Sequence, residues 1–291
     1  MKKVLITGAN SYIGTSVEKY ISKNYPDECQ FDTIDMVDGM WREKSFSDYD
    51  VVFHVAGIAH SDSGKISKDR AKLYYSVNTD LAVETANKAK ADGIKQFIFM
   101  SSAIVYGGSG KLGKKKMITH DTPMTPANAY GDSKVQAENG IVPLQDGNFK
   151  VCILRPPMIY GKGCKGNYLT LVKFAKKLKI FPYVKNERSM LYIENLCEFV
   201  YLMILNEEGG IFFPQNNEYT NTSNMVQTIA SAHGKKLHLI HGFGWAIKFV
   251  GLFTGLVKKA FGSLTYDKEL SKYKTDYVKY SLQQSIEETE R

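Results

Sequence analysis

Tyr130 and Lys134, in the segment Tyr130-Gly131-Asp132-Ser133-Lys134, are spaced to work on an alcohol. On a helix, positions i and i+4 share a face, so the phenol and the ammonium point the same way. A tyrosine with an ordinary pKa of about 10 is a poor base near neutrality. A cation one turn away stabilises the phenolate and brings that value down. Tyr130 could then remove a proton from a hydroxyl while hydride leaves the carbon that bears it. The same spacing occurs on ordinary surface helices, so the pair acquires meaning only beside a hydride acceptor and a frame that holds both.

A site for such an acceptor lies at the start of the chain. Thr7-Gly8-Ala9-Asn10-Ser11-Tyr12-Ile13-Gly14 follows a strand-like Val4-Leu5-Ile6 and opens a helical stretch. Gly8 permits a tight turn and Gly14 lets the helix pack on the strand. The loop and first-turn amides, from Asn10 through Ser11, Tyr12 and Ile13, then face a pyrophosphate. Ser11 stands at the middle of the pattern, where it would either crowd the pyrophosphate or hydrogen-bond it. The second apolar run ends at Asp35, about 20 residues past Gly14, where a carboxylate accepts from adenosine ribose hydroxyls and repels a 2′-phosphate. No arginine directly follows Asp35, and the nearest is Arg42. The cofactor expected is therefore NAD.

These residues need a βαβ frame. Strands are predicted over Lys3–Thr7, Phe31–Asp35, Val51–Val55, Gln96–Ser101 and Val151–Arg155. They are apolar almost throughout, as parallel strands covered on both faces must be. Helices are predicted over Ile13–Lys23, Leu73–Ala91 and Ala129–Ile141. The expected fold class is α/β, a Rossmann-type doubly wound parallel sheet. After about residue 161 the rhythm changes to glycine-flanked loops, a helix over Asn167–Lys179 and short segments. The expected division is a dinucleotide-binding domain over 1–160, with 186–205 returning to it, and a smaller C-terminal lobe from 161–185 and 206–291.

The 291 residues are 43% apolar and 23% charged, enough to bury a core without metal or disulfide staples. Cys29, Cys152, Cys164 and Cys197 lie far apart without metal-ligand spacing, as small core residues of a reducing compartment would, and no metal site is expected. Met1-Lys2-Lys3 runs straight into the first strand without the features of a signal peptide, so a cytoplasmic location is expected. The apolar stretch Phe243–Phe261 is interrupted by glycines, Lys248, Lys258 and Lys259. It is read as a helix packed on the smaller lobe, with attachment to a membrane surface as the alternative, and no stable membrane insertion is expected. The net charge of +8 favours anionic partners. Its densest run, Lys111 with Lys114-Lys115-Lys116, reads as a solvated loop or as attraction for a nucleotide diphosphate. No interleaving of aromatic and basic residues argues for nucleic acid.

The glycine motif resembles the GxxGxxG of the extended short-chain dehydrogenase/reductases, the branch that includes nucleotide-sugar epimerases and dehydratases. The likeness continues through His54-Val55-Ala56-Gly57, similar to HxAG, and through Asn78, similar to the asparagine of a VN motif. It extends to Met100-Ser101-Ser102-Ala103-Ile104-Val105-Tyr106-Gly107, similar to SSxxVYG, and to Leu154-Arg155-Pro156-Pro157-Met158-Ile159-Tyr160-Gly161, similar to LRPxxxYG. The resemblance implies that Ser102, with Ser101 as the alternative, hydrogen-bonds the same substrate oxygen as Tyr130. It implies that His54, Ala56, Asn78 and Pro156 line the cofactor together with Tyr130 and Lys134. Asn167, opening a helix after Gly163-Cys164-Lys165-Gly166, and Arg188, in a segment similar to RxxxHVxDL, are implied to hold the substrate's diphosphate and base in a substrate-binding lobe. Tyr192 stands where histidine is frequent in that segment, and no role is carried to it.

Within this family, dehydratases carry an Asp-Glu pair after the catalytic threonine. Ala103-Ile104 stands there and can act as neither acid nor base. The small uncharged pattern is similar to that of UDP-galactose-type 4-epimerases. The expected function is thus NAD-dependent 4-epimerisation of a UDP-hexose or UDP-N-acetylhexosamine through transient oxidation at C4. A nucleotide 4-keto-sugar reductase of surface polysaccharide biosynthesis, using NADH or NADPH, and a non-catalytic dinucleotide sensor are the alternatives. The resemblance also implies a homodimer, paired through the helices over 73–91 and 129–141.

Overall fold

The structure is a computed structural model and describes residues 1–59, 66–109, 113–242 and 260–291. In chain order its elements begin with β1 (Lys2–Thr7), α1 (Tyr12–Asn24), β2 (Cys29–Ile34), β3 (Val51–His54), α2 (Lys68–Tyr75), α3 (Leu81–Ala91) and β4 (Gln96–Met100). They continue with β5 (Lys115–Ile118), α4 (Ala129–Ile141), β6 (Lys150–Leu154), β7 (Met158–Tyr160), α5 (Asn167–Lys177) and β8 (Ile180–Pro182). The rest are β9 (Met190–Tyr192), α6 (Ile193–Leu205), β10 (Gly210–Phe212), α7 (Thr222–Ala232), β11 (His238–Ile240), β12 (Ser263–Tyr266) and α8 (Leu282–Glu290).

The apolar runs form one parallel sheet in the order β10-β6-β4-β3-β1-β2, which establishes the Rossmann-type α/β fold. β3 and β4 are buried at every position. Their side chains pack with Ala82, Ala86 and Ala89 of α3, Ala137 and Ile141 of α4, and Trp41, Phe46 and Phe149 from the connections. The chain leaves β1 for β2 on one side and crosses to β3 on the other. The register pairs Thr7 with both Ile34 and His54, so the C-terminal ends of these strands frame the switch point where open α/β sheets take their ligands.

One predicted helix has a different interior. The stretch read as continuous over Leu73–Ala91 begins at Lys68, and a π-helical turn over Ser76–Asp80 separates α2 from α3. Such a turn inserts an extra residue and re-aims one side chain. Here Asn78 points inward, fully enclosed. Its amide accepts from Ile58 N at 2.8 Å and donates to Ile58 O and Ser133 Oγ, both at 3.2 Å.

The chain divides into two compact units. The first comprises Met1–Gly107, Pro123–Pro156 and Leu196–Pro214 and contains the large sheet. The second comprises Gly108–Thr122, Pro157–Asn195 and Gln215–Arg291. Its strands make three small parallel pairs, β7 with β9, β8 with β11, and β5 with β12. Buried polar side chains tie these pairs together. Asn216 accepts from Tyr192 N and Asn195 Nδ2 and donates to Tyr160 Oη, each at 3.0 Å, and Tyr160 also hydrogen-bonds Ser285 on α8 at 2.5 Å.

The four cysteines are buried and unbridged. Among the described residues there is no cluster able to hold a metal ion, and no helix is long and apolar enough to cross a membrane. Lys111 and most of the Phe243–Phe261 stretch, residues 243–259, lie outside the described residues.

Candidate active site

The loop between β1 and α1 is built to admit an anion. Gly8 has φ +106°, and a Cβ there would lie 2.9 Å from the backbone of Ala56 at the end of β3. A Cβ on Gly14 would stand 2.9 Å from Ile6 Cγ2 and 2.6 Å from Ser11 Oγ. Both positions thus demand glycine for close approach of helix and strands. Asn10 takes φ 60°, a conformation that asparagine tolerates better than most residues. Ser11 has a further role beside the two sequence-based options. Its hydroxyl caps its own helix by accepting from Gly14 N at 3.2 Å. The first-turn amides of Tyr12 and Ile13 lie along the helix axis toward its N-terminus, where an anion is favoured.

Around this loop, Asp35 lies just past β2, exposed, and its carboxylate accepts from Val37 N at 2.8 Å. The His54 side chain is fully enclosed, with ring centroids 5.7 Å and 5.9 Å from Phe97 and Phe99. Its Nδ1 pairs with Thr7 Oγ1 at 2.8 Å, and burial, aided by the charge of Lys134, pulls its pKa down to about 3. The imidazole is therefore neutral, and only the main chain of His54 could meet a cofactor. Asn78 is equally committed, to Ile58 and Ser133. The exposed carboxylate and the cradle that a Cβ would fill fit an NAD pyrophosphate and ribose, held by Gly8, Ser11–Gly14 and Asp35.

The tyrosine–lysine pair lies on α4, whose first turn is capped by Asn128 Oδ1 accepting from Gly131 N at 2.9 Å. Ser102 precedes the short turn Ala103–Tyr106 and hydrogen-bonds Tyr130. Lys134 Nζ donates to Met100 O at 2.8 Å and stands 4.6 Å over the Phe99 ring. Burial pushes the Tyr130 phenol up to about 12, against the Ser102 hydrogen bond that favours the phenolate. Burial also pulls the Lys134 ammonium down to about 8, opposed by the charge of Glu138. In the protein alone, enclosure thus outweighs the stabilisation expected from Lys134, and Tyr130 rests as a phenol. Ser101, the alternative to Ser102, gives its hydroxyl to Glu138 instead. Pro156 is buried beside this group, its carbonyl accepting from Ala103 N at 2.9 Å.

Sequence reasoning missed the charges beneath the acid/base. Glu138 and Arg155 are 2% and 5% exposed and form an ion pair. Arg155 Nε lies 3.1 Å from both carboxylate oxygens, and Nη1 donates to Tyr106 Oη at 2.5 Å. The available signal was the spacing: Glu138 extends the Tyr130–Lys134 stripe by another four residues, onto a face that the apolar Ala137 and Ile141 mark as buried.

In the second unit, Asn167 and Arg188 line the same partly open cleft. Its walls include Met158, Met190, Met225 and Phe174, an apolar setting for a planar group. Asn167 opens α5 behind Gly166, at φ +95°. Arg188 Nη1 donates to Ala260 O at 3.2 Å, and burial draws its guanidinium below the usual arginine value.

The sequence model of the NAD dependent epimerase/dehydratase family matches residues 4–213. The UDP-glucose 4-epimerase of Vibrio cholerae is 30% identical over 289 residues, covering 91% of this chain and 87% of that protein. The N-acetyl-alpha-D-glucosaminyl-diphospho-ditrans,octacis-undecaprenol 4-epimerase of Escherichia coli O157:H7 is 26% identical over 261 residues, 82% of this chain and 74% of that one. Among solved structures, the UDP-glucuronic acid 4-epimerase of Bacillus cereus in complex with NAD superposes with a TM-score of 0.73 at 18% identity, covering 98% and 96% of the two chains.

Proposed function

The chain belongs to the NAD-dependent epimerase/dehydratase family, and from that premise we propose that it inverts C4 of a diphosphate-linked hexose or N-acetylhexosamine, with a UDP-sugar as the first choice of substrate. The observation that carries this reading is the Ser102–Tyr130 hydrogen bond with Lys134 one turn along the same helix face. NAD bound in the glycine cradle supplies a hydride acceptor and donor for C4. Tyr130 Oη, as the phenolate that the positive nicotinamide of bound NAD would favour, takes the proton of the sugar's O4 during oxidation and returns it during reduction. Ser102 orients that oxygen by hydrogen bonding, and Lys134 stabilises charge on the phenolate. Glutamate and aspartate are lacking at Ala103-Ile104, which leaves elimination of water without an acid or base there.

Substrate binding is assigned to the second unit, where Arg188 offers a fork of donors to the diphosphate and Asn167 a polar contact to the base. The group beyond the diphosphate is the uridine of UDP in one relative's name and undecaprenol in the other's. A 4-keto-sugar reductase is the second reading, favoured by the raised Tyr130, because a resting phenol is already the acid that carbonyl reduction requires. Homodimerisation through the helices over 73–91 and 129–141, and work in the cytoplasm on surface polysaccharide precursors, complete the proposal. Sedimentation at micromolar concentration should give a dimer.

The deciding experiment is an NMR assay of purified protein with UDP-hexoses, UDP-N-acetylhexosamines and a polyprenyl-diphosphate N-acetylhexosamine, adding no cofactor. Inversion at C4 on retained NAD is the expected result. Consumption of NADH with a 4-keto sugar nucleotide, without inversion of any hexose, would overturn it in favour of the reductase.

A further inference from the structure

Two buried charges lie beneath the acid/base and take no part in proton transfer. We propose that Glu138, clamped by Arg155, is the positioning residue of this active site, fixing the turn that carries Ser102 and keeping Lys134 charged.

The geometry grips that turn at both ends. On the N-terminal side, Ser101 gives its hydroxyl to Glu138, and its amide is bound to Leu154 O at 2.8 Å. On the C-terminal side, Tyr106 closes the turn and accepts from Arg155 Nη1. Arg155 joins the two ends by forking onto the Glu138 carboxylate, while the next residue, Pro156, holds Ala103 by its carbonyl. Ser102 sits between these anchors, and its hydroxyl, which accepts from Ile104 N at 3.2 Å inside the same turn, is held toward Tyr130.

Burying two charges is costly, and a buried pair is by itself no gain in stability. The charge of Glu138 has a separate use. Lys134 lies one turn before it on α4, with its ammonium on Met100 O and over the Phe99 ring. The titratable groups that interact with the Lys134 charge are Glu138 on its own helix and the neutral His54 on β3. Arg155 acts on it only through the pair with Glu138. Glu138 is thus the anion that opposes the loss of the Lys134 proton to burial.

The inference rests on the acid/base reading above, but its first readout needs no substrate. The lysine Nζ resonances of full-length 15N-labelled protein are titrated with pH, with Lys134 assigned by its disappearance in Lys134→Met. Glu138→Gln should lower the Lys134 midpoint by about one unit, the size of effect expected from an adjacent charge. Glu138→Asp, which keeps the charge on a shorter side chain, should lower it by less. Arg155→Lys keeps a cation on Glu138 and should leave the midpoint in place, yet lower kcat on the order of tenfold with sugar KM within about threefold, because the planar fork is gone. A Glu138→Gln midpoint equal to wild type overturns the charge role, and wild-type kcat in Arg155→Lys overturns the positioning role. If Glu138→Gln does not fold, a Glu138→Asp midpoint below wild type would still show dependence on the carboxylate's placement, and an unmoved midpoint with unmoved kcat would refute it. A wild type that turns over no sugar, with the midpoint shift intact, refutes the proposed function and leaves this inference standing.

Discussion

The two units of the chain are held together by different physics. The first is an apolar sheet: β3 and β4 are buried from end to end, and alanines on α3 and α4 let the helices close on them. Among its described residues the second has only paired three- and four-residue strands, tied together by tyrosines, asparagines and serines from distant parts of the chain. Apolar burial tolerates variation in detail as long as volume is kept. A buried hydrogen-bond lattice does not, because each lost partner strands another polar atom. The first unit thus depends on filled volume, and the second on the placement of individual polar groups.

Within the first unit, the largest expected effect is chemical. Tyr130→Phe should lower turnover by about 10²–10⁴-fold, as loss of a general acid/base does, with NAD still retained by the protein. Turnover within threefold of wild type would move the chemistry elsewhere. Next in size, Phe97→Ala in the middle of β4 should cost about 3–5 kcal/mol in denaturant unfolding, since Phe97 is fully buried and the sheet cannot collapse around the gap. The matching test of the second unit is Asn216→Ala. It removes one acceptor and one donor that three partners use and should cost about 1–3 kcal/mol. Equal losses from Phe97→Ala and Asn216→Ala would erase the contrast between the units. The smallest effect is expected at the cofactor loop. Ser11→Gly should cost only a few tenths of a kcal/mol and leave NAD affinity unchanged, because the serine caps its own helix and glycine is a good N-cap. A marked loss of NAD affinity would mean that the hydroxyl reaches the pyrophosphate after all.

Acidity offers a further check on the first unit. The enclosed His54 is neutral in the fold, with its pKa lowered to about 3 from an ordinary 6.5. Between those values the unfolded chain binds more protons than the folded one, so this residue's contribution to stability is lost as pH falls from 6.5 toward 3. A His54→Gln variant should show a flatter decline of unfolding free energy across that window.

Legibility followed the range of the forces involved. The glycine loop, Asp35 and the Tyr130–Lys134 stripe are patterns of neighbouring or helically spaced residues, and the central strands of the large sheet, β1, β3, β4 and β6, are largely apolar runs, unlike the half-exposed β2 and the three-residue β10 at its edges. Each is readable because the local sequence contains the whole cause. The small strands of the second unit, such as Gly-free Ile180–Pro182 and Met190–Tyr192, are too short to carry a periodic signal, and only their partners from elsewhere in the chain make them strands.

What the sequence determined by itself is the chemistry on offer: a phenol and an ammonium on one helix face, a turn fit for a pyrophosphate, and a carboxylate suited to an unphosphorylated ribose. Only the tertiary structure decided how those groups are tuned. Enclosure raised Tyr130 and lowered Lys134, a π-helical turn sent Asn78 inward, Ser11 was spent on its own helix, and Glu138 met Arg155 beneath Ser102. Desolvation and charge pairing depend on what surrounds a residue in space, and for these residues most of the surroundings come from far along the chain.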